Sequence, residues 1–498
     1  MKTKHLLVLS VAALLFTFCS DPQSEDVNLS PTTSADLANF GGSGGFAPDE
    51  WKGEGYNEVE ENPFIITLDE PVSTFSIDAD GASYSNTRRF LTSNTLPPKA
   101  AIRTEEFINY FPYDYPQNGN APISLNGEVS ACPWTPGHKL LRIGIRGKDI
   151  PDHQLPASNF VLLIDVSGSM KQPGKLDLLK ESFKLFVDEM DEDDKLAIVT
   201  YAGKAGVLLE PTSGRFKDII KSAINGLDAG GSTAGAQGII TAYELAEEAF
   251  IPGGNNRVIL GSDGDFNVGI SNQGELVELI EEKRESGVFL TILGVGTGNL
   301  QDGKMEQIAN NGNGNYEYLD NIEQAKKVFI HEFKKFYTVA KDVKIQIDFN
   351  PEQVRAYRLI GYENRLLEES DFEDDSKDAG EIGANQTITA LYELIPAGGS
   401  GRGPVTTIDF RYKEPTSSTS IPLQLEIPDR EVLFTMASEN MRFATAAAGF
   451  ALILGESEYK GILNYDHLVQ WAINANSYDP HNYRWEFIDL VDKAKDLR

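Results

Sequence analysis

Phe160-Val-Leu-Leu-Ile-Asp165-Val-Ser167-Gly-Ser169-Met170 decides how the rest of the chain is read. Its first half is an unbroken apolar run, the composition of a strand buried on both faces of a parallel sheet. Its second half turns abruptly to small residues bearing oxygen. That change places Asp165-x-Ser167-x-Ser169 on the loop at the carboxyl end of the strand, where open α/β sheets bind their ligands. A carboxylate and two hydroxyls directed at one point form a hard-oxygen site, suited to Mg²⁺ more than to a soft metal.

Asp165-x-Ser167-x-Ser169 resembles the first element of the metal-ion-dependent adhesion site of von Willebrand factor type A domains. The family's other elements are a Thr after the third helix and an Asp after the fourth strand. They correspond to Thr233, in Gly230-Gly-Ser-Thr233, and Asp263, in Val258-Ile-Leu-Gly-Ser-Asp263-Gly. The resemblance implies that Ser167, Ser169 and Thr233 offer hydroxyls to Mg²⁺, with Mn²⁺ and Ca²⁺ as alternatives. Asp165 and Asp263 would hold the ion directly or through water. It also implies a protein partner whose Glu or Asp carboxylate fills the open coordination position. The plain alternative is that the Asp-Ser-Ser motif caps the following helix, with Thr233 and Asp263 as ordinary loop residues. Asp263-Gly-Asp265-Phe-Asn267-Val-Gly269 begins like a Ca²⁺ loop, but its Gly falls one place late and the closing Glu is missing. Asp265 and Asn267 are therefore read as shaping the loop.

Outward from this motif, strands and helices alternate between residues 159 and 340. Strands are expected at 160–164, 195–201, 207–209, 257–260, 289–295 and 315–319, and helices at 175–190, 216–227, 237–250, 275–285 and 323–336. The fold class is α/β: a doubly wound, mostly parallel six-stranded sheet, Rossmann-like and of von Willebrand factor A type. An N-terminal α+β module and a C-terminal β-sandwich with terminal helices flank it. The sandwich is read from alternation at 343–349, 357–362, 387–394, 406–412 and 423–427, and the helices from 440–454, 465–475 and 485–494. The stretches Phe75 to Leu91 and Ile102 to Phe111 resemble the N-terminal module of bacterial YfbK-like von Willebrand factor A lipoproteins. The expected division is a signal at 1–19, a tether at 20–62, the N-terminal module at 63–155, the von Willebrand factor A domain at 156–340 and the C-terminal module at 341–498.

Met1-Lys-Thr-Lys4, an apolar Leu6 to Phe18, Cys19 and a polar continuation together resemble a bacterial lipoprotein signal, in which the Cys is lipidated and becomes the first residue. Phe18 stands where that family carries Gly, Ala or Ser. An ordinary secretory signal or an uncleaved anchor is the alternative. The resemblance implies a bacterial cell-envelope protein, lipid-anchored through Cys19 and facing the periplasm or the exterior. With Cys19 processed, Cys132 has no second cysteine to pair with, so it is read as a small buried residue.

The 498 residues carry 44 basic and 75 acidic side chains, a net charge of −31, which argues against nucleic acid as a partner. No Gly-x-Ser-x-Gly elbow between a strand and a helix is present (the pattern occurs only at Gly41-Gly-Ser-Gly-Gly45, in the expected tether), nor any His-Glu-x-x-His or Gly-Lys-Ser/Thr motif, and His138, His153, His331, His467 and His481 are scattered. The chain is thus expected to be no enzyme and to bind a protein partner in adhesion or assembly. A structural envelope protein with an idle metal site and a Mg²⁺-dependent hydrolase are the alternatives.

Overall fold

In the computed structural model the described residues are 53–58, 60–77, 80–202, 204–231, 235–264, 273–375, 377, 379–398 and 402–498. The elements before the central domain are β1 (Ile65–Ile66), β2 (Val72–Ser76), α1 (Ala82–Thr92), α2 (Thr104–Asn109), β3 (Ile123–Ala131) and β4 (Lys139–Gly147). The central domain runs β5 (Ser158–Asp165), α3 (Leu176–Glu189), β6 (Lys195–Ala202), β7 (Lys204–Ser213), α4 (Lys217–Asn225), α5 (Gly235–Glu248), β8 (Asn255–Ser262), α6 (Gln273–Arg284), β9 (Phe289–Val295), α7 (Asp302–Asn311), β10 (Tyr316–Leu319) and α8 (Ile322–Lys326). The chain closes with β11 (Thr338–Phe349), β12 (Val354–Ile360), β13 (Gly380–Gly383), β14 (Thr387–Pro396), β15 (Thr406–Lys413), β16 (Ser420–Ile427), α9 (Glu439–Leu454), α10 (Tyr465–Ile473) and α11 (Tyr483–Asp496).

Every residue of β5 is buried, and its side chains divide by parity. Phe160, Leu162 and Ile164 join Leu179, Phe183 and Phe186 of α3 in one apolar cluster. Val161 and Leu163 join Ile239, Ala242 and Tyr243 of α5 in another. A strand that must satisfy helices on both faces has to be apolar throughout, which is why no alternation shows in its sequence. The sheet order is β10-β9-β8-β5-β6-β7, parallel except for β7, so the six expected strands form one mixed sheet. β5 lies between β6 and β8, at the point where the winding reverses and a crevice opens beyond the carboxyl ends.

The flanking segments do not separate as expected. One antiparallel sheet runs β1-β12-β14-β4-β3, and another runs β13-β11-β15-β16 with β2 also paired to β11. Strands from 63–155 and from 341–498 thus share both sheets. Leu141, Ile143, Ile345, Ile347, Tyr392 and Phe410 meet in the cluster between them. The sandwich exists, but both ends of the chain build it, because pairing depends on neighbours in space rather than in sequence. α9 is buried nearly all round, and Phe443 and Phe450 pack with Phe107, Phe111 and Phe487 in a helical layer on the sandwich. Cys132 lies in this layer, and burial pushes its thiol up to about 12.

Three further details depart from expectation. The helix expected at 323–336 breaks after α8 into a π turn at Lys327–His331 and a 3₁₀ turn at Phe333–Phe336. The break lets Phe329, Phe333 and Phe336 all pack against Phe186. α7 has only Met305, Ile308 and Ala309 as buried apolar signals, and its buried Asp302 is held by Arg103 at 2.5 Å. The expected tether does not extend to 62: Gly55 pairs with Gln301, and Asn62 is buried with its amide on the Leu359 and Gly361 carbonyls. Residues 1–52, with Cys19, lie outside the described residues. Among the described residues no helix is long and apolar enough to cross a membrane.

Candidate metal centre

β5 ends on Asp165, whose side chain is buried by the sheet that positions it. One carboxylate oxygen accepts the Ser167 backbone N–H at 2.8 Å, and the other accepts the Ser262 hydroxyl at 3.2 Å. The first bond turns the chain back over its own carboxylate. The Ser167 and Ser169 hydroxyls then lie 3.0 Å apart. Burial pushes the Asp165 carboxyl up to about 6, opposed by the Ser167 and Ser262 hydrogen bonds and reinforced by the neighbouring charge of Asp263.

Asp263 follows directly on β8 and is likewise buried. Its Oδ2 accepts from Lys175 Nζ at 3.0 Å and from Asn299 Nδ2 at 3.0 Å, while Lys175 also donates to Asn299 Oδ1 at 2.7 Å. Burial alone would raise the Asp263 carboxyl. Hydrogen bonds from Asn299 and Ser169 and the Lys175 ammonium outweigh it and bring the group below the usual carboxylate range. Gly296 has φ +82°, and a side chain there would run into the stem of Lys175.

The segment leading to the third element docks on the same loop. Gly230 N–H donates to the Val166 carbonyl at 2.7 Å and Gly168 N–H to the Gly231 carbonyl at 3.1 Å. Thr233 itself lies outside the described residues, as do Asp265 and Asn267. The structure therefore brings Asp165, Ser167, Ser169 and Asp263 together. Sequence reasoning missed Ser262, Lys175 and Asn299. Ser262 was adjacent to a named residue, but nothing local marks Lys175 or Asn299, whose roles exist only once the two loops meet.

Among the described residues no group of three or more His, Cys, Asp or Glu side chains is placed to hold a metal ion. The donor set here is two carboxylates and two hydroxyls, with the Lys175 ammonium already supplying positive charge between Asp263 and Asn299. These are hard oxygen donors, the kind that Mg²⁺, Mn²⁺ or Ca²⁺ takes and that a soft metal does not prefer.

Residues 159–331 match the von Willebrand factor type A domain family, and residues 50–142 match a family described as von Willebrand factor. Residues 334–405 and 399–497 match the family described as uncharacterized protein YfbK, C-terminal. YfbK of Escherichia coli (strain K12) is 40% identical over 466 residues, covering 88% of this chain and 80% of the relative. The chain belongs to the YfbK family. A UPF0353 protein of Mycolicibacterium vanbaalenii is 28% identical over 223 residues, covering 39% of this chain and 66% of that protein. Among solved structures, a von Willebrand factor type A protein from Catenulispora acidiphila is 16% identical with a TM-score of 0.42, over 73% of this chain and 89% of that one. The YfbK relationship spans the central domain together with both flanking segments, in keeping with their shared sheets.

Proposed function

We propose that this YfbK-family protein is a non-catalytic, envelope-attached adhesion or assembly protein that captures a partner through a Mg²⁺-dependent site. The reading rests on one observation: Asp165, Ser167, Ser169 and Asp263 converge beyond the carboxyl ends of β5 and β8, at the winding reversal of the sheet. In this reading those four residues, with Thr233, hold the ion. A bound divalent cation would supply a positive point for a Glu or Asp carboxylate of the partner. Lys175 offsets the charge of Asp263, so the protein's own ligands only partly neutralise the ion. Cys19 would carry the lipid that attaches the chain to a membrane. In this reading the two carboxylates are committed to holding the ion, and among the described residues no imidazole contacts them, which favours binding over hydrolysis.

A second reading has one observation in its favour. Lys175 already satisfies Asp263, so the pocket is electrostatically quiet without a metal. In that reading the protein is structural and the site idle.

Asp165→Ala separates the two. The variant should keep its far-UV circular dichroism and lose Mn²⁺ binding by calorimetry, together with Mg²⁺-dependent retention of envelope proteins. Metal-dependent capture that survives in the variant would sink the adhesion reading.

A further inference from the structure

The metal face is braced from outside its own domain. Gly53 to Asn57 forms a strap that lies along the loop from Gly296 to Gly303. Gly55 N–H donates to the Leu300 carbonyl at 2.8 Å, and Gln301 Nε2 donates to the Gly53 carbonyl at 3.2 Å. The side chain of Glu54 has 0% exposure and accepts the Gly298 N–H at 2.8 Å. Arg89 of α1 holds the same carboxylate with two parallel bonds of 2.7 and 2.8 Å. Tyr56 donates to it as well, at 2.5 Å, and Asn86 of α1 donates to Tyr56 at 2.9 Å. The approach leaves no room for side chains: a Cβ on Gly53 would run into the Gly298 carbonyl.

The strapped loop carries Asn299, the residue that clamps Lys175 to Asp263. The contacts thus form a chain: α1 fixes Arg89, Arg89 fixes Glu54, Glu54 fixes Gly298, and the next residue holds the two charged groups of the metal centre. A buried carboxylate with a bidentate Arg and a backbone donor is an expensive arrangement unless all its partners are kept, so it defines one geometry strongly.

We infer that Glu54 is a positioning residue for the metal centre: through Gly298 the strap sets the place of Asn299, and with it the affinity of the site for a divalent cation. The inference rests on the metal-binding reading above.

The test uses the full-length chain, Mn²⁺ as probe, and titration calorimetry alongside hydrogen exchange. Glu54→Ala should weaken Mn²⁺ binding about tenfold, the lower end of what outer partners of a metal site contribute. It should also speed exchange of the Gly298–Gln301 amides without metal. Gly53→Ala should do the same by displacing the strap while leaving the Glu54 side chain in place. Glu54→Gln, which still offers an oxygen to Gly298 but not a charge to Arg89, should recover part of both. Mn²⁺ affinity equal to wild type in both Glu54→Ala and Gly53→Ala overturns the inference alone. A wild type that binds no Mn²⁺, or an Asp165→Ala variant that binds it equally well, removes the metal reading and the inference with it. Loss of affinity only alongside global unfolding, with Glu54→Gln no better than Glu54→Ala, also overturns it.

Discussion

Lys175 is the residue on which the chemistry of the proposed metal site turns. Its ammonium is buried between the Asp263 carboxylate and the Asn299 amide. A lone buried ion is costly, but a buried pair whose members share a third partner is tolerable, and removing one member exposes the cost of the other. Lys175→Met keeps the stem that fills the space beside Gly296 and deletes only the charge. The variant should lose about 3–5 kcal/mol of stability, the usual loss when one partner of a buried ion pair is removed. Chemical denaturation without metal will measure it. Adding Mn²⁺ should restore more stability to the variant than to wild type, because the ion then supplies the missing counter-charge to Asp263. A variant stabilised by Mn²⁺ no more than wild type would mean that Lys175 and the ion do not act on the same carboxylate. Two of the motif's three short stretches, Asp165 to Ser169 and Asp263, come together in the structure, and both were legible because they sit beside strand ends whose apolar runs are unmistakable; the third, at Thr233, lies outside the described residues. Lys175 opens an ordinary amphipathic helix, and Asn299 lies in a loop of small residues, so neither carries a local signature.

At the scale of elements, legibility followed burial. β5 could be read because both its faces are covered, and α3 because Leu176, Leu179, Phe183 and Phe186 recur at helical spacing against one of those faces. The first half of β11 could not be read from alternation. The strand shifts register between Lys341 and Lys344, and Asp342 takes φ +51°, so a bulge interrupts the period of two. The π turn after α8 was equally hidden, since it serves residues far away in sequence. Its His331 stacks on His481 with ring centres 3.7 Å apart and planes 2° from parallel, and His331 Nδ1 lies 2.6 Å from the Tyr483 hydroxyl. Burial and the neighbouring His481 lower the affinity of His331 for a proton, with Lys327 adding to this and Glu332 and Glu323 opposing it. The unfolded chain therefore binds that proton more tightly than the folded one. The contribution of the stack is complete above the ordinary imidazole range and is lost as pH falls below about 6.5. Melting temperatures of wild type should fall between pH 7.5 and 5.5 more steeply than those of His331→Gln. Parallel curves for the two proteins would show that the stack does not feel the proton.

Across the whole molecule, the central domain is an insertion. The chain leaves the sandwich after β4, builds the six-stranded sheet, and re-enters at β11, where the Ser158 hydroxyl meets the Tyr337 hydroxyl at 3.1 Å. Close entry and exit points are what allow one domain to sit inside another. Among the described residues all six strands of the insertion pair only with one another, whereas β1, β2 and β4 depend on β11, β12 and β14. Fragment length and foldability should therefore run in opposite directions. Residues 156–340 alone should be monomeric, with cooperative melting. The longer fragment 1–340 should aggregate, because β2 and β4 keep apolar faces and open edges with no strand to cover them. Size-exclusion chromatography and circular dichroism on the two fragments will decide this. A soluble, cooperatively folded 1–340 would mean that the first four strands need no partners from the C-terminal segment. The short fragment also lacks the strap. If it folds and binds Mn²⁺ more weakly than the full chain, its two properties separate what the insertion does by itself from what the sandwich adds: the sheet makes the site, and the surrounding module sets how tightly it closes.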